Sequence, residues 1–286
     1  MANKLAEWTD YELLDFGNGR KLERFGRRRL VRPCLVAEQS KPRRPRLWND
    51  VTEFVLAKSD DGQRGSWLPK STDESPWNVN IGPVLAQLKL TAFGHVGLFP
   101  EHYEHWQWAA QSPVADCRIL NLFAYTGVFS LLLASSGCAV THVDSSAAAV
   151  RWARKNAELS NLAKAPIRWI VEDAVRFVTR EIKRGAKYDG FVVDAPTYGR
   201  GPRNESWKFD RDFVPLLSLL RELVGDRLRM VVVSTHTAGF ESEFLRNHVG
   251  KAFGRLLVGG PQAANVVQHD QAGRELPCGS YARWNA

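Results

Sequence analysis

Long uninterrupted apolar runs are missing from this 286-residue chain, which removes the case for a membrane-spanning helix. The opening MANKLAEWTD lacks the basic start and apolar stretch of a secretory signal, so a cytoplasmic location is expected. Cysteine is scarce, and Cys34, Cys117, Cys138 and Cys278 lie far apart without paired zinc spacing. That argues against both a zinc site and an oxidised scaffold. His95, His102 and His105 fall close together, but they show no carboxylate spacing typical of a hydrolytic site, and no metal is expected.

Acidic residues are thin in one place. Residues 20–46 hold eleven Lys or Arg against Glu23 and Glu38, a balance of +9, while the whole chain carries +8. A run of charge can be nothing more than a solvated face. Here GRKLERFGRRRLVRP interleaves its cations with Leu22, Phe25 and Leu30, and KPRRPRLW follows, a pattern that can neutralise phosphates. A polyanionic partner is expected, with Arg27, Arg28 and Arg29 as candidate contacts; charge does not separate RNA from DNA.

With 44% hydrophobic and 24% charged residues, the chain can bury one substantial core and a smaller second one. Residues 1–80, rich in Trp, Gly and Pro, carry short candidate strands in YELLD, RLVRPCLV and EFVLA, joined by the turn signals GNG and DDGQRG. They read as a small β domain. Residues 81–112 read as a linking segment: SPWNVNIGP leads to QLKLTAFGHVGLF, with one or two further strands, and to the helix EHYEHWQWAAQSP, stopped near Pro113.

From residue 113 the pattern changes. The strands CRILNLF, AVTHVD, IRWIVED, YDGFVVD and RLRMVVVST alternate with the helices GVFSLLLASSG, SAAAVRWARKNAELS, AVRFVTREIKRG and FDRDFVPLLSLLREL. Strands apolar enough to be covered on both faces, separated by helices, indicate a doubly wound α/β domain. The tail segments FGRLLVGG, ANVVQHD and YARW read as closing strands.

In such a sheet, ligands bind outside the carboxyl ends of the strands. The first strand runs into NLFAYTGVFS, which is neither G-x-G-x-x-G nor a phosphate-binding G-x-x-x-x-G-K-[ST] loop. Nicotinamide cofactors and nucleoside triphosphates are both disfavoured. The second strand ends at Asp144, where a carboxylate can accept both hydroxyls of a ribose or can cap the helix behind it. The third ends at Glu172 and Asp173; Asp173 can receive an adenine amine or, again, cap a helix. Successive strand-end acids with no lysine placed for phosphates describe a nucleoside without pyrophosphate, which is the shape of S-adenosylmethionine.

The series LNLFAYTG, HVD, VEDA and VDAPTYG resembles the class I S-adenosylmethionine-dependent methyltransferases. In particular it is similar to the bacterial 23S ribosomal RNA large-subunit methyltransferases that carry an N-terminal β domain. The resemblance runs from about residue 11 to the C-terminus and implies a seven-stranded Rossmann-like methyltransferase domain over residues 113–286. It implies that Phe123, Ala124, Tyr125, Thr126 and Gly127 hold the methionine part of the cofactor. Asp144, with Ser145, takes the ribose; Glu172, Asp173 and Ala174 surround the adenine. The segment KLTAFGHVGLFPEHYEHW matches an approach segment of form K-T-G-F-F-L-D-Q-R, which brings Phe99, Pro100 and Glu101 to the cofactor; His95 and Tyr103 replace the lysine and arginine of that pattern.

Asp194 ends the fourth strand, and D-A-P-T-Y resembles the D-P-P-[FY] signature of amino-methylating enzymes, with Ala195 in place of the first proline. The resemblance makes Asp194, Pro196 and Tyr198 the catalytic group, with Asp194 also counted among the cofactor-binding residues: an oxygen accepts a hydrogen from the target nitrogen while the aromatic ring stacks on the base. Pro196 restricts the chain so that carbonyls face the pocket, and Tyr198 presents a flat ring. Arg200, Arg203 and Lys208 follow in GRGPRNESWKF and can hold the target backbone or remain solvated surface charge, while Trp207 can pack the loop down.

Carbon-5 methylation needs a covalent nucleophile, normally a cysteine. Where relatives carry it after the fifth strand, this chain has Ser234, Thr235 and His236. Transfer to a base nitrogen of ribosomal RNA is therefore expected, with guanine N7 and an exocyclic amine both open; His236 is a candidate base or part of a helix cap. Two other functions are weighed: methylation of a small molecule or protein, and an RNA-binding protein that keeps the fold without catalysis. The sequence carries no signature of oligomeric state.

Overall fold

The structure, a computed structural model, describes residues 5, 7–57, 64–69, 75–112 and 114–286. The first four residues of the DDGQRG turn (60–63) and Pro113 lie outside the described residues. The chain forms two compact units; one comprises residues 6–101 and 267–277, the other 1–5, 102–266 and 278–286.

The first unit is built on a five-stranded sheet in sequential order: β1 (Tyr11–Gly17), β2 (Arg20–Phe25), β3 (Arg28–Pro33), β4 (Thr52–Leu56) and β5 (Gly65–Leu68). A separate hairpin pairs β6 (Trp77–Ile81) with β7 (Val84–Leu88). Alternation in WNVNI, buried at every second residue, explains the hairpin's one-sided packing. The expected strand RLVRPCLV stops at Pro33, whose missing N–H cannot extend the ladder, and Leu35–Ala37 turns into a 3-10 helix.

Two buried polar clusters hold this unit. Glu23 accepts from Arg32 at 2.7 and 2.8 Å and from Tyr11 at 3.0 Å, with Lys21 at 3.2 Å. Burial pushes the Glu23 carboxyl up, but the Arg32 and Lys21 cations outweigh it and hold it down at about 2. Asp15 accepts from the backbone of Phe16, Arg43 and Arg44 and from the Trp48 indole, and it pairs with Arg274 from the returning segment. Arg274 also lies 4.0 Å from the Phe16 ring centroid and bonds Asp270.

The second unit carries α1 (Tyr103–Gln111), β8 (Arg118–Leu122), α2 (Val128–Ser135), β9 (Ala139–Asp144), α3 (Ala147–Leu159) and β10 (Ile167–Val171). It continues through α4 (Ala174–Lys183), β11 (Gly190–Asp194), β12 (Tyr198–Arg200), β13 (Ser206–Lys208) and α5 (Phe209–Glu222). Last come β14 (Met230–Thr235), α6 (Ser242–Phe253), β15 (Gln262–His269) and β16 (Glu275–Asn285), the final two strands extending into residues of the first unit. Seven strands form one sheet in the order β10-β9-β8-β11-β14-β16-β15. The strands from β10 to β14 pair in parallel and β16 pairs antiparallel to β14.

This is the doubly wound α/β fold expected from the alternation of strands and helices. Successive residues divide between two cores: Leu120, Leu122, Phe191, Val193, Val231 and Val233 pack into one, with Phe177, Phe213 and Leu245 from α4, α5 and α6. Ile119, Val192, Met230 and Val232 pack into the other, with Ala109 and Leu133 from α1 and α2. Connections run outward from β8 to β10 and then cross back to β11, so the order reverses between β8 and β11. FGRLLVGG is not a strand: it finishes α6 and turns as a 3-10 helix, with Gly254 at φ 54° breaking the helix.

Candidate functional site

Beyond the carboxyl end of β8 the backbone enters the left-handed region at every second residue, with Phe123 at φ 56°, Tyr125 at 49° and Gly127 at 85°. Two of these are not glycine, so the loop stores strain that its surroundings must hold. The holding contacts are present: Ala124 N–H donates to Val143 O at 3.1 Å, and Tyr125 N–H donates to Asp144 Oδ2 at 2.8 Å. At Gly127 an added Cβ would lie 2.8 Å from Ala153 Cβ on α3. Only glycine meets both the left-handed φ and that approach. Beneath the loop, Ser130 links Asn121 at 2.9 Å and His142 at 3.0 Å, all three buried. Burial keeps His142 neutral, its pKa down at about 3.

Asp144 does not cap α3. Ser146 does, accepting from Ala149 N–H at 3.2 Å. Asp144 instead binds two loops, Oδ2 to Tyr125 and Oδ1 to Ser146 N–H at 2.8 Å. Burial raises its pKa against the pull of those two amides. Each carboxylate oxygen retains a further lone pair. Asp173 does cap its helix, accepting from Arg176 N–H at 2.9 Å with Oδ1. The Glu172 carboxylate pairs with Arg176 at 3.5 Å and with Arg180.

These strand ends border a pocket of about 50 Å³. On one side lie Phe123, Asp144, Ser145, Glu172, Asp173 and Ala174; Pro196, Gly199, Arg200, Gly201 and Trp207 close the other. The closing wall is a hairpin, β12 with β13, in which Tyr198 stands opposite Lys208 and Gly199 opposite Trp207. Trp207 is buried, donates to Pro196 O at 2.7 Å and packs 4.8 Å from the Phe123 ring. The Pro196 carbonyl is thus already engaged by the protein. Arg176 reaches across to Glu205 of the hairpin at 3.3 Å.

Asp194, at the end of β11, accepts from Ser234 Oγ at 2.8 Å, and its Oδ2 lies 3.0 Å from Nε2 of His102. Burial alone would raise its pKa; His102 and the Ser234 bond, with His236 nearby, reverse that and hold it at about 2. Behind it, Thr235 Oγ1 donates to Ala195 O at 3.0 Å, and Thr237 joins Thr235 at 2.8 Å and Thr197 at 2.9 Å. The loop after β11 is therefore tied to the loop after β14. Tyr198 is 48% exposed, and its hydroxyl accepts from Arg200 Nε at 3.1 Å.

Phe99, Pro100 and Glu101 belong to the first unit. So do Arg27, Arg28 and Arg29, which with Leu30, Asp50, Thr52 and Leu90 line a depression of about 330 Å³. Arg28 stacks 4.3 Å from the Trp77 ring and bonds Ser75 O; Arg29 donates to Leu47 O. Much of the basic run is already spent on the fold, since Arg20, Lys21, Arg24 and Arg32 pair with Glu53, Glu23, Glu12 and Glu23.

Sequence reasoning missed the links of His102 and Ser234 to Asp194 and of Arg176 to Glu205. The dipeptide Val-Asp at the end of β11 gives no sign of its partners, which come from distant stretches of the chain.

A parallel sheet reversing at β8 and β11, with acids at its strand ends and no phosphate loop, defines a class I Rossmann-like methyltransferase. No family model matches the chain. A crystal structure of an S-adenosylmethionine-dependent methyltransferase from Agrobacterium tumefaciens is 33% identical, with a TM-score of 0.88 over 96% of this chain and 90% of that one. The chain belongs to the S-adenosylmethionine-dependent methyltransferases: it is an enzyme, and S-adenosylmethionine is its cofactor. A putative methyltransferase from Streptococcus mutans, 15% identical, shares the fold with a TM-score of 0.74 over 98% of this chain and 76% of its own.

Curated relatives named ribosomal RNA large subunit methyltransferase K/L are 30% identical over 176 residues in Shewanella sp. (strain MR-4) and 29% over 178 in Colwellia psychrerythraea. These matches take in 60% and 61% of this chain, which spans about a quarter (24%) of the length of those relatives. Among the described residues, no helix is long and apolar enough to cross a membrane, and no cluster of side chains could hold a metal.

Proposed function

We propose that the enzyme methylates a nitrogen of a base in ribosomal RNA. The observation that carries this reading is Asp194: a strand-end carboxylate kept ionised, fixed by His102 and Ser234, four residues ahead of a half-exposed aromatic ring. A fixed anion draws hydrogen from a target nitrogen and stabilises the positive charge that grows there as the methyl group arrives. Tyr198 offers the face on which a base can stack. Arg27, Arg28 and Arg29 supply cations for phosphate, and the named ribosomal RNA relatives point to the same polymer.

The pocket residues suit the cofactor. Asp144 and Ser145 would take the ribose hydroxyls, Glu172, Asp173 and Ala174 would border the adenine, and the loop of Phe123, Ala124, Tyr125, Thr126 and Gly127 would hold the methionine part. When bound, the cofactor supplies an electrophilic methyl on sulfonium. The protein's own share is positioning and control of charge. No cysteine stands at the end of β14, where carbon-5 chemistry would need one: Ser234 and Thr235 end that strand, and Cys117 and Cys138 are buried, with burial lifting the Cys138 thiol to about 12.

The test is mass spectrometry of ribosomal RNA nucleosides from cells with and without the gene, then incubation of the deficient RNA with purified protein and labelled S-adenosylmethionine. One methylated nucleoside, lost and restored, is expected, and its structure names the accepting atom. Unchanged marks and no label in RNA would transfer the reading to a protein or small-molecule acceptor. Replacing Arg27, Arg28 and Arg29 with Ser should weaken RNA binding and flatten its salt dependence by up to about three units of slope. An unchanged slope removes the patch from the RNA path.

A further inference from the structure

Nothing in strand-end chemistry requires a histidine beside Asp194, yet His102 is there, on the short turn Pro100–His102 that leads into α1. Its Nε2 lies 3.0 Å from Oδ2, while Ser234 holds Oδ1 at 2.8 Å. One partner on each oxygen removes the rotation that a lone carboxylate would have. The Asp194 side chain still keeps 34% of its surface exposed, so lone pairs remain for a third donor.

The groups around His102 come from four elements. His105, on α1, has its ring centroid 5.9 Å from that of His102. Burial, then His102 and Arg283, drive the His105 pKa to about 3, so it stays neutral. Tyr281 of β16 meets the His105 ring edge-on at 4.6 Å, and Arg283 of the same strand bonds Glu104 at 2.9 Å. His236, just past β14, also helps to lower the Asp194 pKa. Asp194 of β11 is the anion against which His102 is set.

We propose that His102 is a positioning residue for methyl transfer: it fixes the rotation of the Asp194 carboxylate and, through its own charge, sets how strongly that carboxylate draws on the nitrogen being methylated. This rests on the base-nitrogen reading above, with an acceptor that carries hydrogen. Neutral His102 donates from Nε2 and leaves Asp194 its full charge; protonated His102 cancels much of it. In the step itself, the target nitrogen bonds the methyl carbon and the carbon–sulfur bond breaks, its electron pair returning to sulfur. The nitrogen then sheds one proton to solvent. An uncancelled carboxylate lowers the energy of that developing cation, so turnover rises as His102 loses its proton.

The experiment compares wild type, His102→Gln and His102→Ala, using labelled S-adenosylmethionine and ribosomal RNA from cells lacking the gene, across about pH 5 to 8. Beside it, the His102 ring is titrated by NMR in wild type and Asp194→Asn, both with S-adenosylhomocysteine. Glutamine keeps a donor near the Nε2 position but does not titrate: kcat should stay close to the wild-type value at high pH while the acid limb flattens. Alanine should lower kcat about 10- to 100-fold with little change in KM for the cofactor. In Asp194→Asn the His102 midpoint should fall by about one unit or more.

An acid limb that survives unchanged in His102→Gln, or full kcat in His102→Ala, overturns the proposal. If wild type labels no RNA, the base-nitrogen reading fails by itself. The NMR arm then still decides the pairing, since an unmoved His102 midpoint in Asp194→Asn overturns it and a lowered one upholds it.

Discussion

Asp144 shows how much one carboxylate can do. It joins the loop after β8 to the start of the loop before α3, and its burial makes its anion harder to keep than that of an exposed acid. A raised pKa means that acidification protonates Asp144 before ordinary carboxylates, and the protonated form is the poorer acceptor for ribose hydroxyls. Cofactor affinity measured by calorimetry should therefore fall as pH drops toward the carboxylate range, starting above it, and this fall should be absent in Asp144→Asn. Asp144→Ala should weaken cofactor binding about 10- to 100-fold, the worth of hydrogen bonds to a charged group, and weaken RNA binding far less. Equal losses for both ligands would remove the ribose assignment. Gly127 allows a sharper test of the loop. Gly127→Ala must fit a Cβ at 2.8 Å from Ala153 in a left-handed conformation, and a loss of about 1–3 kcal/mol in stability is expected by denaturant unfolding.

At the scale of elements, the hairpin of β12 and β13 belongs to both sides of the chemistry. Its Gly199, Arg200 and Trp207 line the pocket proposed for the cofactor, while its first residue, Tyr198, is exposed. Tyr198→Ala should leave cofactor affinity nearly unchanged and depress transfer to RNA. Trp207→Phe, which keeps a ring against Phe123 but loses the bond to Pro196 O, should depress both; cofactor binding at the wild-type level would show that the wall is held by other contacts.

The hairpin also marks where sequence stops being legible. The parallel strands announced themselves because runs such as GFVVD and MVVVST are apolar on both faces, and helices of matching length separate them. Tyr198–Arg200 and Ser206–Lys208 are three residues each, polar and rich in glycine neighbours, too short to show a period. Helix α6 went unread for a different reason: SEFLRNHVGKAF has no capping side chain at its start and an internal glycine. At the site, the acids at strand ends were legible because the fold dictates where strands end. What each acid binds was not. That Ser146 rather than Asp144 caps α3, or that His102 meets Asp194, depends on loop paths that no local pattern encodes.

Across the whole molecule, the two units should respond differently to acid. His142 and His105 sit neutral in the methyltransferase unit, each with a pKa near 3 where an unfolded histidine titrates near 6.5. The unfolded chain therefore takes up protons that the folded unit refuses, and stability falls as pH drops below 6.5 toward 3. In the other unit Glu23 is held at about 2 against an ordinary 4.5, so its contribution is intact above 4.5 and is lost only as pH falls toward 2. Hydrogen exchange at stepped pH should show the amides of β8, β9 and α1 losing protection before those of β2 and β3. His142→Gln should make the loss in the first group shallower. Simultaneous loss in both units would mean that neither histidine governs acid stability.

The returning segment 267–277 has a consequence for how the protein is made. Asp15 receives Arg274 only after residues 102–266 of the other unit have been synthesised. Until then the Asp15 carboxylate lacks its guanidinium partner. The unit that holds the N-terminal sheet is thus closed only by a segment made after residues 102–266. A nascent chain stopped short of Arg274 carries that sheet without the guanidinium that Asp15 receives in the finished protein.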